Sequence, residues 1–302
     1  MMNLAAAQLM AEPNLTDKAA IVTGGSQGLG YAIAQRYTQA GASLLICARE
    51  PQQLAEAVAK LRQQRIHPAQ QILAAVGDVG LQVDVERICR TAFEGFGRLD
   101  ILVNNAAVQG PFGSLEDIDW LEWLRTIEVN LLGSVLMARA VVPRMKSQRS
   151  GKILQVSGGG ATSPMPFNSA YAVSKAAIVR FVETLAQELQ GTGVEVNALA
   201  PGALNTRMLD QVLAAGAEKV GPGIFNKALE QQSSGGANVQ EATALAVFLA
   251  SAASDGLTGR LFSAVWDNWR TLSARKHLIA ASDVYTLRRV TARDRELDWG
   301  DR

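Results

Sequence analysis

The stretch Ala19-Ala-Ile-Val-Thr-Gly-Gly-Ser-Gln-Gly-Leu-Gly30 decides the fold of this chain. Its first five residues are apolar and partly β-branched, which predicts a short buried strand. The glycine-rich turn that follows leads into an apolar helical pattern that ends at Gly41. Strand, turn and helix in this order favour the binding of a dinucleotide, because glycines let the backbone approach a pyrophosphate and a helix N-terminus offers free N–H groups.

Strand and helix patterns continue to alternate along the rest of the chain. We expect further strands within 43–48, 71–76, 101–104, 152–156, 195–200 and 259–265, and helices within 51–64, 82–96, 120–145, 170–189 and 238–251. Such alternation predicts an α/β fold with a parallel sheet covered by helices on both faces. Ligands then bind at the carboxyl ends of the strands. The 302 residues are enough to bury the core of one large domain.

Composition and charge argue against several classes of partner. The formal net charge of +1 gives no bulk attraction to nucleic acid or to an anionic membrane. Cys47 and Cys89 fall in a predicted strand and a predicted helix, so no disulfide framework is indicated and a reducing cytoplasm fits. His67 and His277 lack the spacing of metal ligands, and no metal is expected.

The N-terminal residues 1–14 are interpreted as a loose arm. No lysine or arginine precedes Lys18, so the basic region of a secretory signal is missing. No part of the chain approaches the roughly 18 unbroken apolar residues of a membrane-spanning helix. We therefore expect no membrane segment and a cytoplasmic location.

A second motif places Tyr171 and Lys175 four residues apart on a predicted helix. Side chains at this spacing lie on one helix face and reach each other. A neighbouring ammonium favours the phenolate, so we expect Lys175 to lower the pKa of Tyr171 from its usual value near ~10. Such a tyrosine can exchange a proton with a substrate oxygen at neutral pH. On its own, the same spacing is also that of an ordinary surface pair.

Six motifs in sequence order resemble those of the short-chain dehydrogenase/reductase family in its single-domain form, over roughly residues 15–265. They are the cofactor turn Thr23-Gly-x-x-x-Gly-x-Gly30, the adenine-contacting pair Asp78-Val79, the segment Asn104-Asn-Ala-Ala107, Asn130 within Val129-Asn-Leu-Leu-Gly133, the group Ser157, Tyr171 and Lys175, and the nicotinamide loop Pro201-Gly-Ala-Leu-Asn-Thr206. Ala107 stands where the family usually has glycine. The resemblance implies a doubly wound Rossmann-type sheet and hydride transfer between NAD(P)(H) and a carbonyl or secondary alcohol.

The resemblance also implies a role for each site residue. Tyr171 is the general acid or base, Lys175 lowers its pKa and holds the nicotinamide ribose, Ser157 hydrogen-bonds the carbonyl oxygen, and Asn130 holds a water that relays protons to Lys175. The residues expected to bind the cofactor are Gly24, Ser26, Gln27, Gly28, Leu29, Gly30, Arg49, Asp78, Val79, Asn105, Ala106, Tyr171, Lys175, Pro201, Gly202 and Thr206.

The serine position departs from the family pattern. The family usually places this serine thirteen residues before the tyrosine, and that residue is Gly158 here, whereas Ser157 is fourteen before. Glycines that follow Ser157 could absorb one residue, since they permit unusual dihedral angles. Ser157 is therefore the candidate, with Ser163 as a weaker candidate for a substrate contact.

The residues after the second strand favour NADP(H) over NAD(H). An acidic residue there would hydrogen-bond the ribose 2′-hydroxyl of NAD, but this chain has Ala48 and then Arg49. An arginine can pair with a 2′-phosphate, and Ser26 could add a hydroxyl. The alternative is that Arg49 only starts a solvated helix beside Glu50.

The last two segments carry the expectations about substrate and assembly. Residues 203–236 are interpreted as a substrate lid whose apolar residues fit a small or mainly apolar carbonyl compound. Residues 266–302 are a C-terminal extension with several tryptophans, which we expect to help build an assembly or roof the site; alternatively it folds back on its own subunit. By resemblance we expect a homodimer or homotetramer that pairs through the helices predicted within 120–145 and 170–189.

Other functions stay open at this point. The chief alternative to a carbonyl reductase is a non-catalytic NAD(P)-binding redox sensor, which need not retain Asn130, Tyr171 and Lys175. Within the enzymes, an NAD-dependent dehydrogenase and a 3-oxoacyl thioester reductase remain alternatives.

Overall fold

A computed structural model describes residues 14–299, so the predicted arm lies outside the described residues apart from Asn14. Seven parallel strands form one sheet in the order β3-β2-β1-β4-β5-β6-β7. The strands are β1 Ala19–Thr23, β2 Ser43–Ala48, β3 Ile72–Val76, β4 Ile101–Asn104, β5 Gly151–Val156, β6 Val194–Ala200 and β7 Arg260–Ser263. The predicted doubly wound α/β fold is confirmed.

In the described part of the chain, ten α-helices connect the strands and extend beyond the sheet. They are α1 Gly28–Gln39, α2 Pro51–Gln63, α3 Gln82–Phe96, α4 Trp120–Ile127, α5 Gly133–Gln148, α6 Ser169–Glu188, α7 Arg207–Val220, α8 Pro222–Ser234, α9 Val239–Ala250 and α10 Lys276–Ala280. Because all the strand pairs are parallel, each connection returns the chain to the same end of the sheet, and the carboxyl ends of the strands share one edge.

The apolar core is divided by the sheet. Consecutive strand residues point to opposite faces, so Ala20 and Val22 pack with α1, α2 and α9, whereas Ile21 packs with α3, α5 and α6. Both faces of the central strands are therefore buried, which explains their continuous apolar runs. Cys47 and Cys89 are buried free thiols in the same cluster as Ile21.

The helix predicted from 120 to 145 is continuous but not regular. Between α4 and α5 lies a π-helical turn, Glu128–Leu132, that contains Asn130, and such turns are frequent at functional sites. The stretch Trp120–Gln148 is long and apolar enough to cross a membrane by length and composition. Core helices of soluble proteins meet the same criteria, and Met137 and Val141 of α5 are fully buried against the sheet. The absence of a membrane segment therefore stays a prediction.

The predicted lid, 203–236, forms two helices rather than an irregular segment. Helices α7 and α8 bury a small cluster of their own, which includes Leu209, Val212 and Val220. Gly216 inside α7 has φ +76°, and Gly221 between the helices has φ +79°. These glycines interrupt the apolar periodicity, which is why the sequence pattern does not indicate helices here.

The described part of the C-terminal extension folds back on its own subunit. The Leu261 N–H of the edge strand β7 donates to the Tyr285 carbonyl oxygen at 2.8 Å. The Trp269 ring lies 5.7 Å from that of Phe248 in α9, and Trp269 is 6 % exposed. The extension therefore covers a sheet edge and completes the core, which is the alternative left open by the sequence.

Candidate active site

The turn between β1 and α1 is shaped by glycines, two by their dihedral angles and one by a close backbone contact. Gly24 has φ +62° and Gly28 has φ +55°, a region that side chains rarely adopt. A Cβ at Gly30 would lie 2.2 Å from the Gly24 carbonyl oxygen. Ser26, Gln27 and Leu29 complete the turn, and Gln27 is the residue before the helix with an extended backbone.

A second strand end holds this turn in place. The Thr23 Oγ1 atom accepts the backbone N–H groups of Asn105 and Ala106, both at 3.0 Å. The Asn105 side-chain amide donates to the Thr23 carbonyl at 3.0 Å and to the Gly24 carbonyl at 3.3 Å. Asn105 and Ala106 thus join the ends of β1 and β4, and Thr23 is a supporting residue whose part in this network the motif alone does not reveal.

The end of β2 offers an exposed arginine near the turn. Arg49 is exposed, and no hydrogen bond or ion pair of its side chain is recorded within 14–299; in particular, it does not pair with Glu50. The Ser26 hydroxyl lies 3.4 Å from the Gln53 side-chain oxygen at the start of α2. An uncommitted guanidinium and a hydroxyl at this end of the site suit an anionic group.

Asp78 is committed to an ion pair that the sequence analysis missed. Its carboxylate pairs with Arg125 of α4 and also accepts the Gly80 N–H at 2.9 Å. The neighbouring Val79 is buried, and a Cβ at Gly133 would lie 2.8 Å from its side chain. Arg125 is 47 residues away in sequence, so no local pattern indicates the pairing.

Asn130 clamps the loop after β4 to helix α6. Its Oδ1 accepts the Val108 N–H at 2.8 Å, while its Nδ2 donates to the Val108 carbonyl at 2.9 Å and to Ser174 Oγ at 3.0 Å. The residue is 1 % exposed. The side-chain amide of Asn130 is thus hydrogen-bonded to other protein groups, and the expected role of Asn130 in holding a water stays a prediction.

Tyr171 and Lys175 come together on α6 as their spacing predicts. The Lys175 Nζ atom lies 5.5 Å from the centre of the Tyr171 ring and donates to the Val156 carbonyl at 2.9 Å. Burial lowers the pKa of Lys175 to about 8 and raises the pKa of Tyr171 to about 12. The Tyr171 pKa therefore lies above its usual value rather than below it as expected, because the loss of solvent around the buried phenol raises it.

Gly158 lies beside the Tyr171 hydroxyl. A Cβ at Gly158 would lie 2.7 Å from Tyr171 Oη. The Ser157 hydroxyl is buried without a hydrogen-bond partner, and its backbone N–H donates to the Leu199 carbonyl at 2.8 Å. The role expected of Ser157, a hydrogen bond to the substrate carbonyl oxygen, stays a prediction. Ser163 is exposed in the loop before α6.

The loop after β6 faces the glycine-rich turn. Pro201 is buried, and Gly202 has φ +87°, with its α-carbon so close to Val265 that a Cβ would lie 2.5 Å from that side chain. Thr206 precedes α7, and its methyl group would be the nearest atom, at 3.9 Å, to a Cβ at Gly28. The lid therefore begins directly across from the turn.

The residues present fit a dinucleotide. The space over Gly28 is open, whereas the backbone around Gly24 and Gly30 is too close to admit side chains. Strand ends β1, β2, β4, β5 and β6 contribute residues to one edge of the sheet, where such cofactors bind. Within 14–299 no three histidine, cysteine or acidic side chains are grouped as metal ligands.

Comparison with known proteins agrees with this geometry. Residues 18–216 match the family model described as short chain dehydrogenase. The human protein named dehydrogenase/reductase SDR family member 4 is 40 % identical over 192 residues, which is 64 % of this chain and 68 % of the human one.

Solved structures extend the likeness to the fold. The crystal structure of NAD⁺-bound xylitol dehydrogenase has a TM-score of 0.75 and 26 % identity, and the match covers 82 % of this chain and 98 % of that one. A gluconate 5-dehydrogenase from Burkholderia cenocepacia J2315, in complex with NADP and tartrate, has a TM-score of 0.72 and 27 % identity, covering 83 % and 94 %. One of these relatives holds NAD⁺ and the other NADP.

Proposed function

The chain belongs to the short-chain dehydrogenase/reductase family, whose members are NAD(P)-dependent oxidoreductases of alcohol and carbonyl groups, and from this premise we propose that it reduces a small or mainly apolar carbonyl compound with NADPH. One observation carries the proposal. Tyr171 and Lys175 on α6 lie close to each other, and Asn130 of the π-helical turn is hydrogen-bonded to the same helix through Ser174. These groups lie at the edge of the sheet that also carries the glycine-rich turn. The apolar cluster of the lid supports an apolar substrate.

Tyr171 is the proton donor in this proposal. The bound cofactor supplies the hydride to the carbonyl carbon. The Tyr171 hydroxyl gives its proton to the carbonyl oxygen, which becomes the alcohol, and the phenolate left behind is stabilised by the Lys175 ammonium 5.5 Å from the ring. Because burial keeps the pKa of Tyr171 near about 12, the phenol remains protonated and ready at neutral pH.

Asn130 and the strand ends position these groups. The Asn130 amide ties α6, through Ser174, to the backbone of Val108, so the helix that carries Tyr171 and Lys175 is fixed against the loop after β4. A bound dinucleotide would be held by the glycine-rich turn and by Asp78, Asn105, Pro201 and Thr206, and Arg49 would pair with a 2′-phosphate. An exposed guanidinium without a recorded partner favours NADPH over NADH.

We also propose that the protein is a cytoplasmic homodimer. On α4, Trp120 is 59 % exposed and Leu121 73 %, while Val173 on α6 is 49 % exposed. Large apolar side chains exposed together mark interaction surfaces. The edge strand β7 is already hydrogen-bonded to Tyr285 of the same subunit, and Leu287 contacts Arg180 and Glu183 in the second half of α6. This leaves α4 and the first turns of α6 for pairing with a second copy.

The experiment that tests the reductase is a titration of folded protein with NADPH and with NADH, followed by nicotinamide fluorescence, and then a turnover screen with ketones. We expect NADPH to bind more tightly and to be oxidised when a ketone is added. Binding of NADPH without turnover of any carbonyl or alcohol would favour the redox sensor. Preference for NADH would favour an NAD-dependent dehydrogenase, and failure to bind either cofactor would contradict the whole proposal.

A further inference from the structure

A side chain at position 158 would meet the proton-donating hydroxyl of Tyr171. A Cβ there would lie 2.7 Å from Tyr171 Oη and 3.5 Å from the adjacent ring carbons. The Gly158 backbone is extended, with φ −171° and ψ 179°, which any residue adopts. Glycine is therefore not required by the dihedral angles, and its effect is to leave the side of the Tyr171 hydroxyl without a side chain.

The neighbouring Ser157 does not make up for this gap. Consecutive side chains of an extended segment point to opposite sides, so we expect the Ser157 hydroxyl to face away from the side on which Gly158 meets Tyr171. It is fully buried and makes no hydrogen bond, and its residue is 2 % exposed. Among the hydrogen bonds of residues 14–299, none reaches Tyr171 Oη, so no second hydroxyl is paired with it.

We propose that Gly158 makes this site selective for electron-poor carbonyl compounds, because it leaves Tyr171 as the only side-chain donor to the carbonyl oxygen. This inference rests on the proposed reductase function. As hydride from NADPH adds to the carbonyl carbon, the π-electron pair moves to oxygen, which takes the Tyr171 proton. Donors aimed at that oxygen stabilise the developing charge, and loss of one commonly costs about 10²–10³ in kcat. A ketone with an electron-withdrawing substituent spreads the charge itself and depends less on a second donor.

The test uses acetophenones that carry a para substituent ranging from methoxy to nitro, which changes electron demand at the carbonyl while the reacting group stays the same. The quantity measured is kcat/KM with saturating NADPH, expressed as the ratio of the nitro to the methoxy ketone. Intrinsic reactivity favours the nitro compound in any reductase, so the decisive comparison is between Gly158→Ser and Gly158→Ala. Both variants crowd the Tyr171 hydroxyl equally, but only serine adds a donor.

We expect the nitro-to-methoxy ratio to be about two- to tenfold smaller in Gly158→Ser than in Gly158→Ala, which is the effect of one added hydrogen bond. Equal ratios in the two variants would overturn the inference, as would a wild type that reduces both ketones at the same rate, although the reductase function would stand. If the wild type oxidised NADPH with none of the carbonyl compounds, both the inference and the reductase function would be contradicted.

A second measurement does not depend on the folding of either variant. A crystal structure of the wild type with cofactor and a ketone inhibitor should show Tyr171 Oη as the only side-chain donor within hydrogen-bond distance of the carbonyl oxygen. A hydroxyl of Ser157 or Ser163 at that distance would overturn the assignment to Gly158.

Discussion

At the scale of single residues, the sequence identifies most groups of the site, but it does not reveal all of their contacts. The four-residue spacing of Tyr171 and Lys175 correctly predicts that they share a helix face, because helix geometry alone decides it. Whether the pKa of Tyr171 is raised or lowered depends on how deeply the fold buries Tyr171 and Lys175, which no local sequence pattern encodes. The same holds for the pairing of Asp78 with Arg125, since it joins segments distant in sequence.

The Lys175 ammonium gives the reductase a defined pH dependence. Burial lowers its pKa to about 8, so the ammonium that stabilises the Tyr171 phenolate is present below this pH and lost above it. Tyr171 itself, with a pKa near about 12, remains a proton donor throughout. We expect kcat/KM for ketone reduction to be flat from pH 6 to 7 and to fall as the pH rises through about 8. A rate that holds steady to about pH 10 would show that the charge of Lys175 is not needed.

The cofactor preference rests on Arg49. We expect Arg49→Ala to weaken NADPH binding about ten- to a hundredfold and NADH binding much less, because a hydrogen bond to a charged group contributes about 1.5–3 kcal/mol. Dissociation constants from nicotinamide fluorescence measure both effects. Arg90→Ala is the matched control, since Arg90 is an exposed arginine of α3 and its removal changes the net charge equally. An equal loss for both cofactors would exclude Arg49 from the 2′-phosphate.

At the scale of elements, apolar periodicity locates every strand of the sheet and most helices to within a few residues. It fails where another feature masks the pattern. Glycines such as Gly216 and Gly221 hide α7 and α8 in the lid, and the π-helical turn at Glu128–Leu132 shifts the register inside a pattern that looks like one helix. The last strand is predicted to reach Val265 but ends at Ser263, where the chain turns into the extension.

The extension should contribute to stability through Trp269. Its ring packs against Phe248 and beneath the Arg270 guanidinium, 4.2 Å from the ring centre, and only 6 % of the residue is exposed. We expect Trp269→Ala to lower the free energy of unfolding by about 3 kcal/mol or more, as for other large-to-small changes in a core. Trp266→Ala is the control, because Trp266 is 86 % exposed and should change little.

Urea unfolding followed by circular dichroism compares the two tryptophan variants with the wild type. If Trp269→Ala and Trp266→Ala have the same midpoint, the extension does not complete the core in solution.

At the scale of the whole molecule, the fold class follows from the alternation of strands and helices, but the assembly does not. The oligomeric state depends on surface residues, which follow no periodic pattern in the sequence. It also depends on the path of the C-terminal extension, which covers the edge of β7. A covered edge cannot pair with the same edge of a second copy. Pairing through α4 and α6 remains, which is why a dimer is proposed rather than a tetramer.

Light scattering coupled to size exclusion tests the assembly. We expect a dimer for the wild type and a shift toward monomer for Leu121→Glu, since a charge at the centre of an apolar interface is costly. Leu278→Glu on α10 is the control, because Leu278 is also exposed, at 59 %, but belongs to neither α4 nor α6. A wild-type monomer at micromolar concentration would contradict the proposal, and a tetramer would show that the extension does not block a second interface.

The central claim is that Tyr171 gives the proton to the substrate oxygen, and Tyr171→Phe tests it most directly. The change removes one hydroxyl and leaves the ring beside Lys175. The measurement is single-turnover NADPH oxidation with a ketone that the wild type reduces, together with NADPH affinity on the same preparation. We predict that hydride transfer falls by about 10²-fold or more while NADPH affinity changes little, as for loss of a positioned general acid. A Tyr171→Phe variant that binds NADPH and retains more than a few per cent of the wild-type rate would contradict the account.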